Sequence, residues 1–316
     1  LTPGKKGTVG MITVEVAHSD LTMLLDPEPR ATRVATGLGF AEGPIWIGGL
    51  LFFSDIPRNR VCCLAFGEDG PHEQVFSEGP ANGLTATMDG QLVVAEHSGR
   101  RLSLASNDGA RQTLLDSYKD GRLNSPNDVV AASDGSIYFT DPPYGIGGDT
   151  SIWNESGWWA KPIPGKEQPH NGVYRLSTGG SVTLLASDFA LPNGLALSPD
   201  ERFLYVCDSE YGHVRAVALD LNHYRTTDDV VLEMKAGETG IADGIITDLD
   251  GIIFATGPGG VWVAHPNADV LGRIVLPEQP SNLTWGEDGS VLYLTARTSI
   301  YRLRTRTRGR CNVRSQ

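Results

Sequence analysis

Residues 124–145 read NSPNDVVAASDGSIYFTDPPYG. A small-residue turn leads into a short apolar run, an Asp-Gly pair reverses the chain, and a strand rich in β-branched and aromatic residues follows. Asp-Gly between two such runs favours a two-residue hairpin with positive φ. The same pattern recurs as FAEGPIWIGGLLFFSD from Phe40, GPANGLTATMDGQLVVAEH from Gly79, ALPNGLALSPDERFLYVCDS from Ala190, GIADGIITDLDGIIFATG from Gly240 and EQPSNLTWGEDGSVLYLTA from Glu278. Corresponding positions lie 40, 45, 66, 50 and 39 residues apart. A repeat of about 40–50 residues that carries four short strands is a propeller blade. The chain is therefore expected to be all-β: one six-bladed β-propeller over residues 29–305, with four-stranded blades.

A ring of blades must close. The segment over 31–36 resembles the pieces that precede the later repeats and is expected to be the outer strand of the last blade, so that the N-terminal strand zips the ring. Residues 1–28 then form an N-terminal extension with a short helix over 19–27, and 306–316 a basic, frayed tail. The 66-residue interval holds an insertion, 145–170, containing Trp153, Trp158 and Trp159. A loop that long is functional or disordered, and its tryptophans favour an ordered lid over a pocket.

The chain has 316 residues, 40% of them apolar and 20% charged, with a formal net charge of −12. That balance excludes nucleic acid and anionic membrane as partners, because both need a cationic face. No apolar run reaches the ~18 residues of a membrane span, and no leader stretch is visible. A cytoplasmic protein is expected, with a periplasmic or secreted one left open. Four cysteines, at 62, 63, 207 and 311, form neither a zinc spacing nor a disulfide framework.

Aligned on its first turn, each repeat places a polar residue in one slot: Glu42, Asn82, Asn127, Asn193, Asp243 and Asn282. Asn or Asp before Gly is an ordinary turn residue, but Glu42 is a poor turn former and none of the six is apolar. The innermost strand of a blade lines the propeller axis, so six oxygen-bearing groups are expected to converge on one tunnel mouth. Two carboxylates there repel unless a cation lies between them. An oxygen-only set suits one hard divalent metal ion, calcium first, with magnesium, manganese or zinc as alternatives. The expected metal ligands are Glu42, Asn127, Asn193 and Asp243. His97, Tyr144, Asn82 and Asn127 are candidates for substrate binding. Glu96, Asp141 and Asp208, in matching places after their strands, are expected to anchor hydrogen bonds between blades, and His170 is a weaker candidate.

The motifs AEGPIW, SPNDVV with DGSIYFTDPPYG, LPNGLALSPDERFLYVCDS and ADGIITDLDG together resemble the gluconolactonase and senescence-marker-protein (regucalcin) family of six-bladed propellers. The resemblance implies metal binding by Glu42, Asn193 and Asp243, with Asn127 either a fourth ligand or a substrate contact. It also implies hydrolysis of a small-molecule sugar lactone, with Asp243 as general base and Glu42 beside it as the second catalytic carboxylate. Animal members carry an Arg two residues before the asparagine of the ND motif; here that residue is Ser125. DPPYG and the aromatic insertion look more like the bacterial lactonases. Two other readings stay open at this point: a calcium-dependent organophosphate hydrolase and a non-catalytic calcium-binding propeller.

Overall fold

The computed structural model describes residues 8–67, 70–146, 157–220, 223–234 and 237–311. Six antiparallel sheets follow one another along the chain as the blades of a propeller, whose innermost strands are Ala41–Ile47, Leu84–Ala86, Val129–Ala131, Pro192–Leu197, Ile245–Thr247 and Asn282–Gly286. The turns that build each blade differ in one respect from expectation. Between the first and second strands of a blade, only the first blade uses a two-residue loop among the described residues, in which Gly48 and Gly49 both take positive φ and Ile47 pairs with Leu50. In the third blade Gly135 N–H donates to Ala132 O and Ala132 N–H to Ser136 O, which closes a three-residue loop with positive φ at Gly135 alone. A type I turn followed by a left-handed glycine also matches the strands' twist, and Asp134 is spared an unfavourable backbone conformation.

The ring closes as expected: Arg30–Thr36 pairs antiparallel with Ser299–Arg304 of the sixth blade. The blades are not all four-stranded, however. Thr8–Met11 adds a fifth strand outside Arg30–Thr36, and Thr13–Val16 adds one outside Val270–Val275 of the fifth blade. An outer strand has unpaired backbone groups, and the N-terminal segment satisfies them in two neighbouring blades. The helix, Asp20–Leu24, lies between these strands and the ring-closing strand and buries Leu21.

The tail is docked through Arg310 rather than frayed. Leu25 bridges Thr305, Thr307 Oγ1 donates to Asp248 Oδ2 at 2.6 Å, and Gly309 bridges Asp248 while lying on the Trp285 indole. Its alternating threonines supply hydroxyls where the arginines point outward. Between blades, apolar side chains form wedges; Trp46 of the first blade stacks on Tyr293 of the sixth at 5.3 Å. Cys62, Cys63 and Cys207 are buried free thiols, and no helix among the described residues is long and apolar enough to cross a membrane.

Candidate metal centre at the axial mouth

The slot residues stand at the axial ends of the inner strands, held there by bonds between neighbouring blades. Gly83 N–H donates to Asn127 O at 2.8 Å and Gly194 N–H to Asp243 O at 3.0 Å. Hydroxyls near the ends of second strands reach across in the same way: Ser54 Oγ to Asn82 O at 2.6 Å, Thr140 Oγ1 to Asn193 O at 2.7 Å, and Thr256 Oγ1 to Ser281 O at 2.7 Å. Such close approach explains the glycine that follows the slot residue in four blades. A Cβ at Gly43 or Gly194 would overlap the backbone of the next blade, and one at Gly83 or Gly244 would overlap Asp128 or Asn282.

The glycine position is filled by Asp128 in the third blade, and this residue is absent from the set read in the sequence. The signal that could have found it was an aspartate in register with four glycines. Asp128 is 8% exposed and Glu42 4%. Glu42 Oε2 accepts from Gly43 N–H at 2.9 Å and from Asn282 Nδ2 at 3.0 Å, while its Oε1 is enclosed and has no hydrogen-bond partner among the described residues. Burial pushes the Glu42 carboxyl up to about 7 against the pull of these two donors, and pushes Asp128 up to about 6. Asp243 keeps part of its surface open at the mouth. Burial, followed by the charges of Glu42 and Asp128, raises it well above the usual carboxylate range, and a hydrogen bond from Asn193 opposes them.

The six slots do not serve alike. Asn282 spends its amide on Glu42, on Asp128 and, through Oδ1, on the Leu283 N–H. Asn193 Nδ2 donates to Ser209 Oγ at 3.0 Å, which leaves its Oδ1 available. The side chains of Asn82 and Asn127 make no hydrogen bond among the described residues, although both are buried. No group of three or more His, Cys, Asp or Glu side chains is arranged to hold an ion among the described residues, so a donor set here depends on asparagine oxygens. Three carboxylates are thus gathered at one mouth with no arginine or lysine paired to any of them among the described residues. A buried anionic cluster of this kind is either protonated or balanced by a cation. The enclosed, donorless Oε1 of Glu42 fits a hard cation, which a carboxylate oxygen and amide oxygens suit.

The remaining expected residues divide. Tyr144 reaches the cluster: its side chain hydrogen-bonds Ser209, and burial, then the nearby Asp243 charge, raises its phenol. It packs on Trp158, whose ring joins Ile146, Ile163 and Leu191 in a small core, so the described part of the insertion is ordered against the fourth blade. Trp153 lies outside the described residues. His97 is partly buried with Nδ1 unpartnered among the described residues, and burial lowers its pKa. His170 faces away, its Nε2 2.9 Å from the Tyr174 hydroxyl.

Asp141 and Asp208 brace the loop that enters their own blade. Asp141 accepts from Asn124 and Ser125 N–H, and Asp208 from Ala190 and Leu191 N–H. Asp55, unremarked in the sequence, does the same for Gly39 and Phe40. Glu96 instead pairs with Arg101 and Arg111. Ser125 is buried and its Oγ accepts from Gly145 N–H at 2.8 Å, so it holds the loop that carries Tyr144.

Comparison with known proteins bears on what such a centre does. Residues 40–298 match the family described as the SMP-30/Gluconolactonase/LRE-like region. The chain is similar to a gluconolactonase of Zymomonas mobilis, at 35% identity over 96% of this chain and 88% of that protein. Among solved structures it is similar to a gluconolactonase of Xanthomonas campestris, with a TM-score of 0.83 and 29% identity over 96% of this chain and 99% of that one. The calcium-binding protein regucalcin of Agrobacterium tumefaciens shares the fold, with a TM-score of 0.68 and 18% identity over 89% of this chain and 95% of that one.

Proposed function

The chain belongs to the SMP-30/gluconolactonase/LRE-like family and is a gluconolactonase-like hydrolase of sugar lactones; from that premise we propose that it opens aldonolactones at the axial mouth with one divalent cation, calcium first. Glu42, Asn127, Asn193 and Asp243 would hold the ion. When bound, it would supply a Lewis acid for the lactone carbonyl and for the charge that develops as water adds. The observation that carries this reading is the enclosed Glu42 Oε1 within a group of carboxylates that no basic side chain neutralises among the described residues.

The chain's own groups then divide the remaining work. Asp243, partly open at the mouth, would accept the proton of the attacking water, and the hydrogen bond from Asn193 supports that role by orienting its carboxyl. Glu42 is held in one rotamer by Gly43 and Asn282 and contributes charge without moving. The unspent amide of Asn82 offers both donor and acceptor, and Asn127 keeps its Nδ2 donor beside the ion, as recognition of a ring bearing several hydroxyls requires. The Tyr144 hydroxyl, next to Ser209 and Asp243, closes one side. His97 stands as a further contact for sugar hydroxyls.

The test is to strip the protein with chelator, restore cations singly, and follow proton release from glucono-, xylono-, arabino- and galactonolactone. Turnover that disappears in chelator and returns with calcium supports the proposal. Full turnover in chelator, or a fluorophosphate hydrolysed faster than every lactone, overturns it.

A further inference from the structure

Asp128 occupies an unusual place. Four blades have glycine directly after the slot residue, at Gly43, Gly83, Gly194 and Gly244, because the inner strands leave no room there for a side chain. In the third blade the residue at that point is a carboxylate. Asp128 Oδ1 accepts from Val129 N–H at 2.9 Å, and Oδ2 accepts from Asn282 Nδ2 at 3.4 Å. The same Nδ2 donates to Glu42 Oε2 at 3.0 Å. One amide of the sixth blade thus ties a carboxylate of the first blade to a carboxylate of the third.

Asp128 and Asn282 also line the axial tunnel, a cavity of about 150 Å³ that runs past Thr85, Thr247 and Thr284 to Arg310 on the opposite face. Glu42, Asn127, Asn193 and Asp243 are not in its wall. The pair therefore stands behind the expected ligands, on the side of the mouth away from solvent. Its negative charge acts on both Glu42 and Asp243.

We propose that Asp128 is a positioning residue of the metal centre: without ligating the cation, it fixes Glu42 through the shared Asn282 amide and adds a third negative charge that strengthens divalent binding. Outer groups that hydrogen-bond a ligand typically govern about 10- to 100-fold in metal affinity. A buried carboxylate kept only for the fold would behave otherwise. Its replacement would lower the melting temperature in chelator and leave calcium affinity unchanged.

The inference rests on the metal reading above, and calcium binding to the intact protein separates the two. The dissociation constant for calcium, measured by competition with a chelating dye, and the melting temperature in chelator are compared at pH 8 for wild type, Asp128→Asn and Asn282→Ala. Asp128→Asn keeps the shape and the contact with Val129, and is expected to bind calcium 10- to 100-fold more weakly while its metal-free form melts no lower than wild type. Asn282→Ala weakens binding in the same direction, because Glu42 loses its tether, and provides a second reading if the first variant folds poorly. If wild type binds no calcium, the metal reading and this inference fall together. If wild type binds but Asp128→Asn binds within twofold of it, or melts lower in chelator with unchanged affinity, the inference alone is overturned.

Discussion

Replacing Glu42 by Gln should stabilise the metal-free protein, and by an amount that depends on pH. The Glu42 carboxyl ionises at about 7 in the folded chain against 4.5 for an ordinary glutamate, because burial outweighs its two hydrogen-bond donors. Below pH 4.5 both states are protonated and the side chain costs nothing. Between 4.5 and about 7 the folded state holds a proton that the unfolded state has released, so stability falls as pH rises. Above 7 the full penalty is present, on the order of 3 kcal/mol at 1.36 kcal/mol per pKa unit.

A Gln keeps the acceptor that Gly43 and Asn282 use, and places an NH2 where Oε1 met no donor. In chelator at pH 8 the variant is therefore expected to gain about 3 kcal/mol, which for a chain of 316 residues is roughly 5 °C in melting temperature. At pH 5 the gain should shrink to about 1 kcal/mol or less. Urea or thermal unfolding in chelator at the two pH values measures both. Excess calcium should reverse the order at pH 8, because only wild type retains both anionic ligands, Glu42 and Asp243. A variant less stable than wild type in chelator at pH 8, or a wild type whose metal-free stability rises from pH 5 to 8, would refute the reasoning.

Two further outcomes are expected. Tyr144→Phe removes a hydroxyl beside Ser209 and Asp243; one hydrogen bond to substrate is worth about 1 kcal/mol, so KM for the preferred lactone should rise about 3- to 10-fold with melting temperature nearly unchanged. An unchanged KM removes Tyr144 from the substrate contacts. Gly309→Val puts side-chain atoms into the Trp285 indole and should cost about 1–3 kcal/mol in unfolding measurements while leaving calcium affinity intact, whereas a neutral result would mean that the tail is not docked on the sixth blade.

The spacing of the repeats was enough to read six blades, the ring-closing strand and the six polar slots, because a four-stranded blade leaves a local record: turn, apolar strand, Asp-Gly turn, strand. The N-terminal strands left none that could be read. Residues 8–16 carry no repeat signature, and their place on two blade edges depends on backbone groups of Arg30–Thr36 and of Val270–Val275, the latter more than 250 residues away from the strand that pairs with it. The tail's threonines and Gly309 likewise gain meaning only from Asp248 and Trp285.

At the mouth, the sequence by itself determined which residue types arrive on the axis, since each slot is fixed within its own repeat by local turn chemistry. Which of them face one another, and which are already spent, was decided by the closing of the ring. Asn82 and Asn282 look equivalent in the chain, yet Asn282 uses its amide on Glu42 and Asp128 while Asn82 keeps its own free among the described residues. Asp128 passed for part of a turn motif because its burial and its neighbours come from blades one and six. Charge burial is a property of the assembled axis: only when three distant segments meet do their carboxylates lose water and act on one another.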